Sequence, residues 1–205
     1  VSQVASLRRA SWWRSKLWGS VFGVVSRGIT TFESRNDAAS KTRNDAASAK
    51  PLSQKVRLPD GPLIVVANHT SHADSAALVA LIGRVRPVLV VSAKDYWKQD
   101  ATAEWLSAGL IGTWPVSREG HGFDELRAVE PLVREGAVLV VFSEGKRSLD
   151  GKLQEFHSGA FRLAAEIGAR ILPVGIRGNF EGLPKGSTWP KRLPVNTRLG
   201  EPIEV

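Results

Sequence analysis

The sequence predicts an α/β domain, built as a layered, mixed but largely parallel sheet flanked by helices, with an amphipathic helix in front of it. Three observations carry that prediction. From residue 62 onward, short apolar runs alternate with stretches of helical spacing. The runs near 63–67, 87–92, 137–142 and 171–176 read as strands, with Leu63–Ala67 and Val138–Phe142 apolar throughout, as buried strands are. A chain of 205 residues with 42% hydrophobic content is long enough for one such core.

Taken in order, residues 1–32 read as the amphipathic helix. Residues 1–30 hold no acidic residue and carry Arg8, Arg9, Arg14, Lys16 and Arg27 among Trp12, Trp13, Leu17, Trp18, Val21, Phe22, Val24 and Val25. On a helical projection Trp13, Leu17, Val21 and Val24 share a face, widened by Trp18, Val25 and Phe22, and Arg14 must snorkel at its edge. Indoles and cations so arranged suit an anionic membrane surface, the alternative being a helix packed on the domain's own core. The run Val21 to Val25 is too short to span a bilayer, and charge breaks any signal-peptide pattern.

Residues 33–60 read as a linker, in which Arg35-Asn36-Asp37-Ala38-Ala39-Ser40 recurs unchanged as residues 43–48. The domain proper is expected over 61–205. Its helices are expected near 73–83, 100–108, 122–135 and 157–168, with a weaker last strand near 195–200.

Charge and composition exclude several function classes. The net charge of +8 is uneven. Residues 1–55 hold ten Lys/Arg against three acidic residues, and the remainder holds 18 against 17. A nearly neutral domain with a basic appendage argues against nucleic-acid binding. With no cysteine, neither a disulfide framework nor a thiolate metal site is available. The four histidines, at 69, 72, 121 and 157, lack a zinc-type spacing, so no metal or cofactor is expected. Val1 and the lack of methionine suggest an alternative start codon or an excised fragment.

The most informative stretch is Asn68-His69-Thr70-Ser71-His72-Ala73-Asp74. It joins the strand Leu63–Ala67 to the Ala/Leu/Val-rich helix that follows, and strand-to-helix junctions are where sites form on open α/β sheets. A carboxylate on one ring nitrogen of His69 leaves the other able to take a proton from a hydroxyl. The adjacent helix N-terminus disfavours the imidazolium. Ser71 and Asp74 also have the spacing of a capping box, which alone accounts for the aspartate.

Three further blocks follow. They are Gly112-Thr113-Trp114-Pro115-Val116-Ser117-Arg118, Phe142-Ser143-Glu144-Gly145-Lys146-Arg147-Ser148 and Ile171-Leu172-Pro173-Val174-Gly175-Ile176. In this order the four blocks resemble those of the lysophosphatidic acid acyltransferase family, glycerolipid acyltransferases marked by a His-x4-Asp motif, over residues 60–205. Ser143 stands where the family usually has Pro and Lys146 where it has Thr, departures that bear on the acceptor more than the reaction.

The resemblance implies the same layered architecture. It also implies a phospholipid-biosynthetic O-acyltransferase that moves a fatty acyl group from acyl-CoA or acyl carrier protein to a lysophospholipid, 1-acyl-sn-glycerol 3-phosphate first among the candidates. His69 is then the base and Asp74 its orienting partner, with direct transfer and no acyl-enzyme. The absence of cysteine and of a Gly-x-Ser-x-Gly elbow points the same way. Arg118, Glu144, Gly145 and Arg147 are expected to form the acceptor-phosphate site, guanidinium groups being suited to grip phosphate. Apolar candidates for the acyl chain are Trp105–Ile111 and the helix with Phe161 and Leu163. The expected location is the cytoplasmic face of a bacterial cell membrane, held peripherally. The alternatives are the same chemistry on glycerol 3-phosphate, a lyso-aminolipid or a glycolipid, and a lipid-binding module without turnover.

Overall fold

The computed structural model describes residues 3–25, 29–33, 50–51, 56–96, 109–118, 120–182, 191 and 194–205. The helix expected over 100–108, both copies of the repeated hexapeptide and Trp105 lie outside them. The sheet is built from β1 (Ile29–Glu33), β2 (Lys50–Pro51), β3 (Leu63–Ala67), β4 (Val88–Ala93), β5 (Thr113–Val116), β6 (Val138–Val141), β7 (Arg170–Arg177) and β8 (Val195–Leu199). Their order across the sheet is β2-β1-β8-β7-β3-β6-β4-β5. The β7–β8 and β1–β2 pairs are antiparallel and the rest are parallel. This is the layered, largely parallel α/β architecture expected from the sequence.

The helices among the described residues are α1 (Gln3–Val25), α2 (Ala73–Ile82), α3 (Gly122–Arg127), α4 (Glu130–Arg134), α5 (Gly159–Ile167) and the short α6 (Asn179–Gly182). None is long and apolar enough to cross a membrane. Alternation along β3 divides the core. Leu63, Val65 and Ala67 face one layer, with α2 in it. Ile64 and Val66 face the other, with α3, α4 and α5. The central strand is therefore apolar at every position.

Two local differences from the expected elements have physical causes. The helix expected over 122–135 is two helices, because Pro131 has no N–H to donate to the carbonyl of Arg127. Of the stretch expected to be helical to residue 32, residues 3–25 form α1 and the residues from Ile29 belong to β1, which runs parallel to β8. Pro173 sits inside β7 where edge pairing pauses. The N–H of Ile171 donates to Ile203, and the nitrogen two residues on faces the gap between Ile203 and the Val174–Leu199 pair.

α2 is buried from Ala76 to Ile82 because α1 covers its outer side. The two helices run antiparallel at close range. Ser15 Oγ donates to the carbonyl of Ala80 at 2.7 Å, and a Cβ on Gly83 would stand 2.7 Å from the carbonyl oxygen of Ser11. Ser11 Oγ accepts the N–H of Val88. The docked face of α1 is thus small and polar. Trp18, placed on the apolar face by its spacing, instead turns inward and donates its indole N–H to Leu110. Arg14 does not snorkel outward; its Nε donates to Gly109 at 2.8 Å, and its burial lowers its pKa. Trp12, Trp13 and Leu17 face away from the domain, with Trp13 69% exposed.

Candidate active site

β3, β4, β5, β6 and β7 are mutually parallel, so the loops leaving their C-terminal ends collect along one edge of the sheet. All six site residues singled out in the sequence lie in these loops or just beyond them. After α2 the chain builds strands on one side of β3, then crosses to the other with β7, so β3 opens onto the crevice between the two halves. Asn68 clamps that crevice. Its amide donates to the carbonyl of Ile176 and accepts the N–H of the same residue, tying the end of β3 to β7.

Asp74, in the first turn of α2, is fully buried and surrounded by donors. Its Oδ2 accepts the N–H groups of Thr70 and Ser71, each at 2.7 Å, and lies 3.1 Å from Nδ1 of His69. Its Oδ1 accepts Nδ2 of Asn179 at 2.8 Å. One carboxylate therefore makes both the acidic half of a capping box, at the Ser71 N–H, and the His–Asp contact, while the Ser71 hydroxyl accepts the Ala73 N–H instead of closing the box. Because its oxygens accept here, the proton of the neutral imidazole sits on Nδ1 and Nε2 keeps its lone pair. The His69 ring stacks on Phe142 with centroids 4.0 Å apart, and 18% of its side chain remains exposed. A fixed, partly open imidazole results.

Glu144 turns inward. It is 2% exposed, and its oxygens accept the N–H of His69 at 2.7 Å and the N–H of Gln154 at 2.9 Å. It braces the β3 and β6 loops against each other. Gly145 has φ +67, and a Cβ there would come within 2.9 Å of the His157 ring, so the turn requires glycine. Ser148 donates its N–H to the carbonyl of His69 at 2.8 Å, which ties the loop that carries Arg147 to the loop that carries His69. His72 registers the Arg147 charge: its pKa is lowered to about 4, by desolvation first and then by the charges of Arg147 and His69.

Arg118 stands apart. β5 is three strands from β3, about 14 Å at ordinary strand spacing. Its guanidinium donates to Asp95 at 2.6 Å, with both side chains about half exposed. Next to it, Glu125 accepts Lys94 Nζ, the Ser117 N–H and the Ser117 hydroxyl. The Lys94 hydrogen bond first, and the Ser117 N–H next, hold its pKa down at about 2. The structure thus brings together His69, Asp74, Glu144, Gly145 and Arg147, and leaves Arg118 on the flank. Sequence reading missed Asn179, Asn68 and Glu125. Only Asn68 had a local signal, being the residue before the histidine.

The pattern of the acyltransferase family matches residues 45–177. The chain is 32% identical over 127 residues to a probable 1-acyl-sn-glycerol-3-phosphate acyltransferase of Mycoplasma genitalium, covering 60% of this chain and 47% of that protein. It is 33% identical over 138 residues to a 1-acyl-sn-glycerol-3-phosphate acyltransferase of Chlamydomonas reinhardtii, covering 62% and 38%. It is also 33% identical over 129 residues to a lyso-ornithine lipid O-acyltransferase of Pseudomonas aeruginosa, covering 62% and 47%. The match spans less than half the length of these relatives. The crystal structure of the 1-acyl-sn-glycerophosphate acyltransferase PlsC from Thermotoga maritima superposes with a TM-score of 0.60 at 20% identity, over 97% of this chain and 68% of that one. At that identity the likeness is one of fold.

Proposed function

This chain belongs to the acyltransferase family, and from that premise we propose that it esterifies the free hydroxyl of a lysophospholipid, 1-acyl-sn-glycerol 3-phosphate, in phospholipid synthesis. The observation that carries the proposal is the His69 ring, whose Nδ1 lies 3.1 Å from Oδ2 of the buried Asp74 and which stays partly exposed at the C-terminal edge of the sheet. Nε2 takes the proton of the acceptor hydroxyl as that oxygen attacks the thioester carbon of acyl-CoA or acyl carrier protein. The C–S bond then breaks, the thiolate leaves with a proton from His69, and no acyl-enzyme forms. Asp74 orients the ring and stabilises the imidazolium in between.

Arg147, on the loop tied to His69 through Ser148, grips the acceptor phosphate, and Glu144 and Gly145 set that loop. Arg118 joins the phosphate by leaving Asp95. Trp12, Trp13 and Leu17 of α1 hold the protein peripherally at an anionic membrane surface, while β1 and β2, in the stretches that read as helix and linker in the sequence, belong to the sheet of the domain. The match to a lyso-ornithine lipid O-acyltransferase supports a second reading, the same chemistry on a lyso-aminolipid. Free-thiol release from acyl-CoA, measured with a panel of lysophosphatidate, glycerol 3-phosphate and lyso-ornithine lipid, separates these readings. Release with lysophosphatidate alone is expected. Release with none of the acceptors, from acyl-CoA or from acyl carrier protein, overturns the proposal.

A further inference from the structure

The loop between β6 and α5 is well fixed yet exposes two leucines. Ser148 is tied to His69 by its N–H and to Asp150 by its hydroxyl. Asp150 also accepts the N–H of Lys152, and Glu144 accepts the N–H of Gln154. Gly151, at φ +77, lies where a Cβ would stand 3.1 Å from the Phe180 ring. In this held segment Leu149 is 71% exposed and Leu153 is 66% exposed. A loop with this many anchors has no need to leave two large apolar side chains in water, and their exposure points to an occupant that is absent.

We infer that Leu149 and Leu153 insert into an anionic lipid leaflet, making this loop a membrane contact separate from α1 and set at the mouth of the site. The inference rests on the proposed lysophospholipid acceptor. If Arg147 grips a lipid phosphate, it works at headgroup depth. Leu149, two residues on, has its Cα within about 7 Å of the Arg147 Cα, so both side chains work at the same membrane boundary. Lys146 and Arg147 precede Leu149 and Lys152 precedes Leu153; Lys152, with 84% of its side chain exposed, pairs with Asp150 at 3.7 Å, so three cations against one carboxylate leave the segment positive. Leucines at the tip with lysines beside them match an anionic leaflet. The loop also carries the residue bonded to the His69 carbonyl, so seating it on lipid brings the imidazole to the acceptor without extracting that acceptor into water.

The chain has no cysteine, so L149C and L153C each give the full-length protein a single attachment point for a nitroxide. On vesicles of phosphatidylglycerol and phosphatidylcholine, both labels should become accessible to oxygen and protected from an aqueous nickel chelate. A label at E135C, on the opposite edge of the sheet, should stay in water. W13C is the control for α1. Labels at 149 and 153 that remain aqueous while W13C inserts would overturn the loop contact and leave the α1 reading standing. All three remaining aqueous would overturn both. Protection already present without vesicles would mean that the loop faces protein, and the inference would fall. Independently, the L149D/L153D double variant should lose about tenfold or more in turnover of bilayer-embedded lysophosphatidate and keep its turnover of a water-soluble short-chain analogue. Equal turnover of the embedded substrate, or equal loss on both, contradicts the inference.

Discussion

Two charged clusters stand on the same edge of the same sheet and are built in opposite ways. At the end of β3, Asp74 is wholly buried and takes four donors from His69, Thr70, Ser71 and Asn179. Beyond β4 and β5, Arg118 and Asp95 pair with about half of each side chain in water. A buried, fully satisfied carboxylate is costly to disturb, so it holds its imidazole in one orientation. An exposed ion pair is worth about 0–1 kcal/mol, so a guanidinium can leave it for a ligand at little cost. The first arrangement suits a base that must be in place before substrate arrives. The second suits an arm that closes on a phosphate once the phosphate is there.

Asp74→Asn should break the first cluster most severely. It turns one acceptor oxygen into a donor facing donors, costing about 2–4 kcal/mol of stability and about a hundredfold in turnover. Thermal unfolding and thiol release measure the two losses; a variant as stable and active as the parent would show the cluster is not preorganised. Asn179→Ala should lower turnover about tenfold with little change in the acceptor KM, because it removes a hydrogen bond to the carboxylate and not a ligand contact.

Arg147→Ala should raise the acceptor KM about ten- to a hundredfold through loss of a charge-assisted contact worth roughly 1.5–3 kcal/mol, and leave the donor KM alone. Equal effects on both substrates would assign Arg147 to the wrong one, and Arg147→Lys should rescue only in part. The same variant should move His72, which titrates at about 4 in the parent protein, upward in an NMR pH series. A His pKa held below the ordinary 6.5 makes the neutral ring's contribution to stability complete above that pH and lost as pH falls through about 4. Loss of Arg147 should narrow that window from its acid end.

Asp95→Asn probes the exposed cluster. Stability should stay within about 0.5 kcal/mol of the parent, and the acceptor KM should fall as Arg118 is released. A rise in KM would mean that the Asp95–Arg118 pair is itself the binding form. A change in stability alone is expected at Ser143, buried with its hydroxyl unpartnered among the described residues. Ser143→Ala should stabilise the fold by about 1 kcal/mol in chemical denaturation, since it removes an unsatisfied buried group; destabilisation would reveal a partner.

The contrast also explains what could be read from the sequence. β3 and β6 were legible because strands covered on both faces are written as continuous apolar runs, whereas β7 is covered on both faces only near its start, with Gly175 and Arg177 exposed. The His69–Asp74 pair was legible because both partners lie on one short turn. Asn179 was not: it reaches Asp74 across 105 positions, and no spacing announces such a contact. Arg118 and Arg147 look alike as arginines near strand ends, and only strand order shows three spacings between β5 and β3. The docked face of α1 was hidden for another reason. Helical periodicity marks apolar positions, whereas Ser11 and Ser15 are buried through hydrogen bonds to neighbouring backbone.

The account stands most directly on His69→Ala, assayed by thiol release from acyl-CoA with lysophosphatidate alongside thermal unfolding. The fixed-base account predicts that transfer falls by about a thousandfold or more while the unfolding temperature stays near that of the parent. A rate within about threefold of the parent, some 0.7 kcal/mol in the barrier, would contradict it.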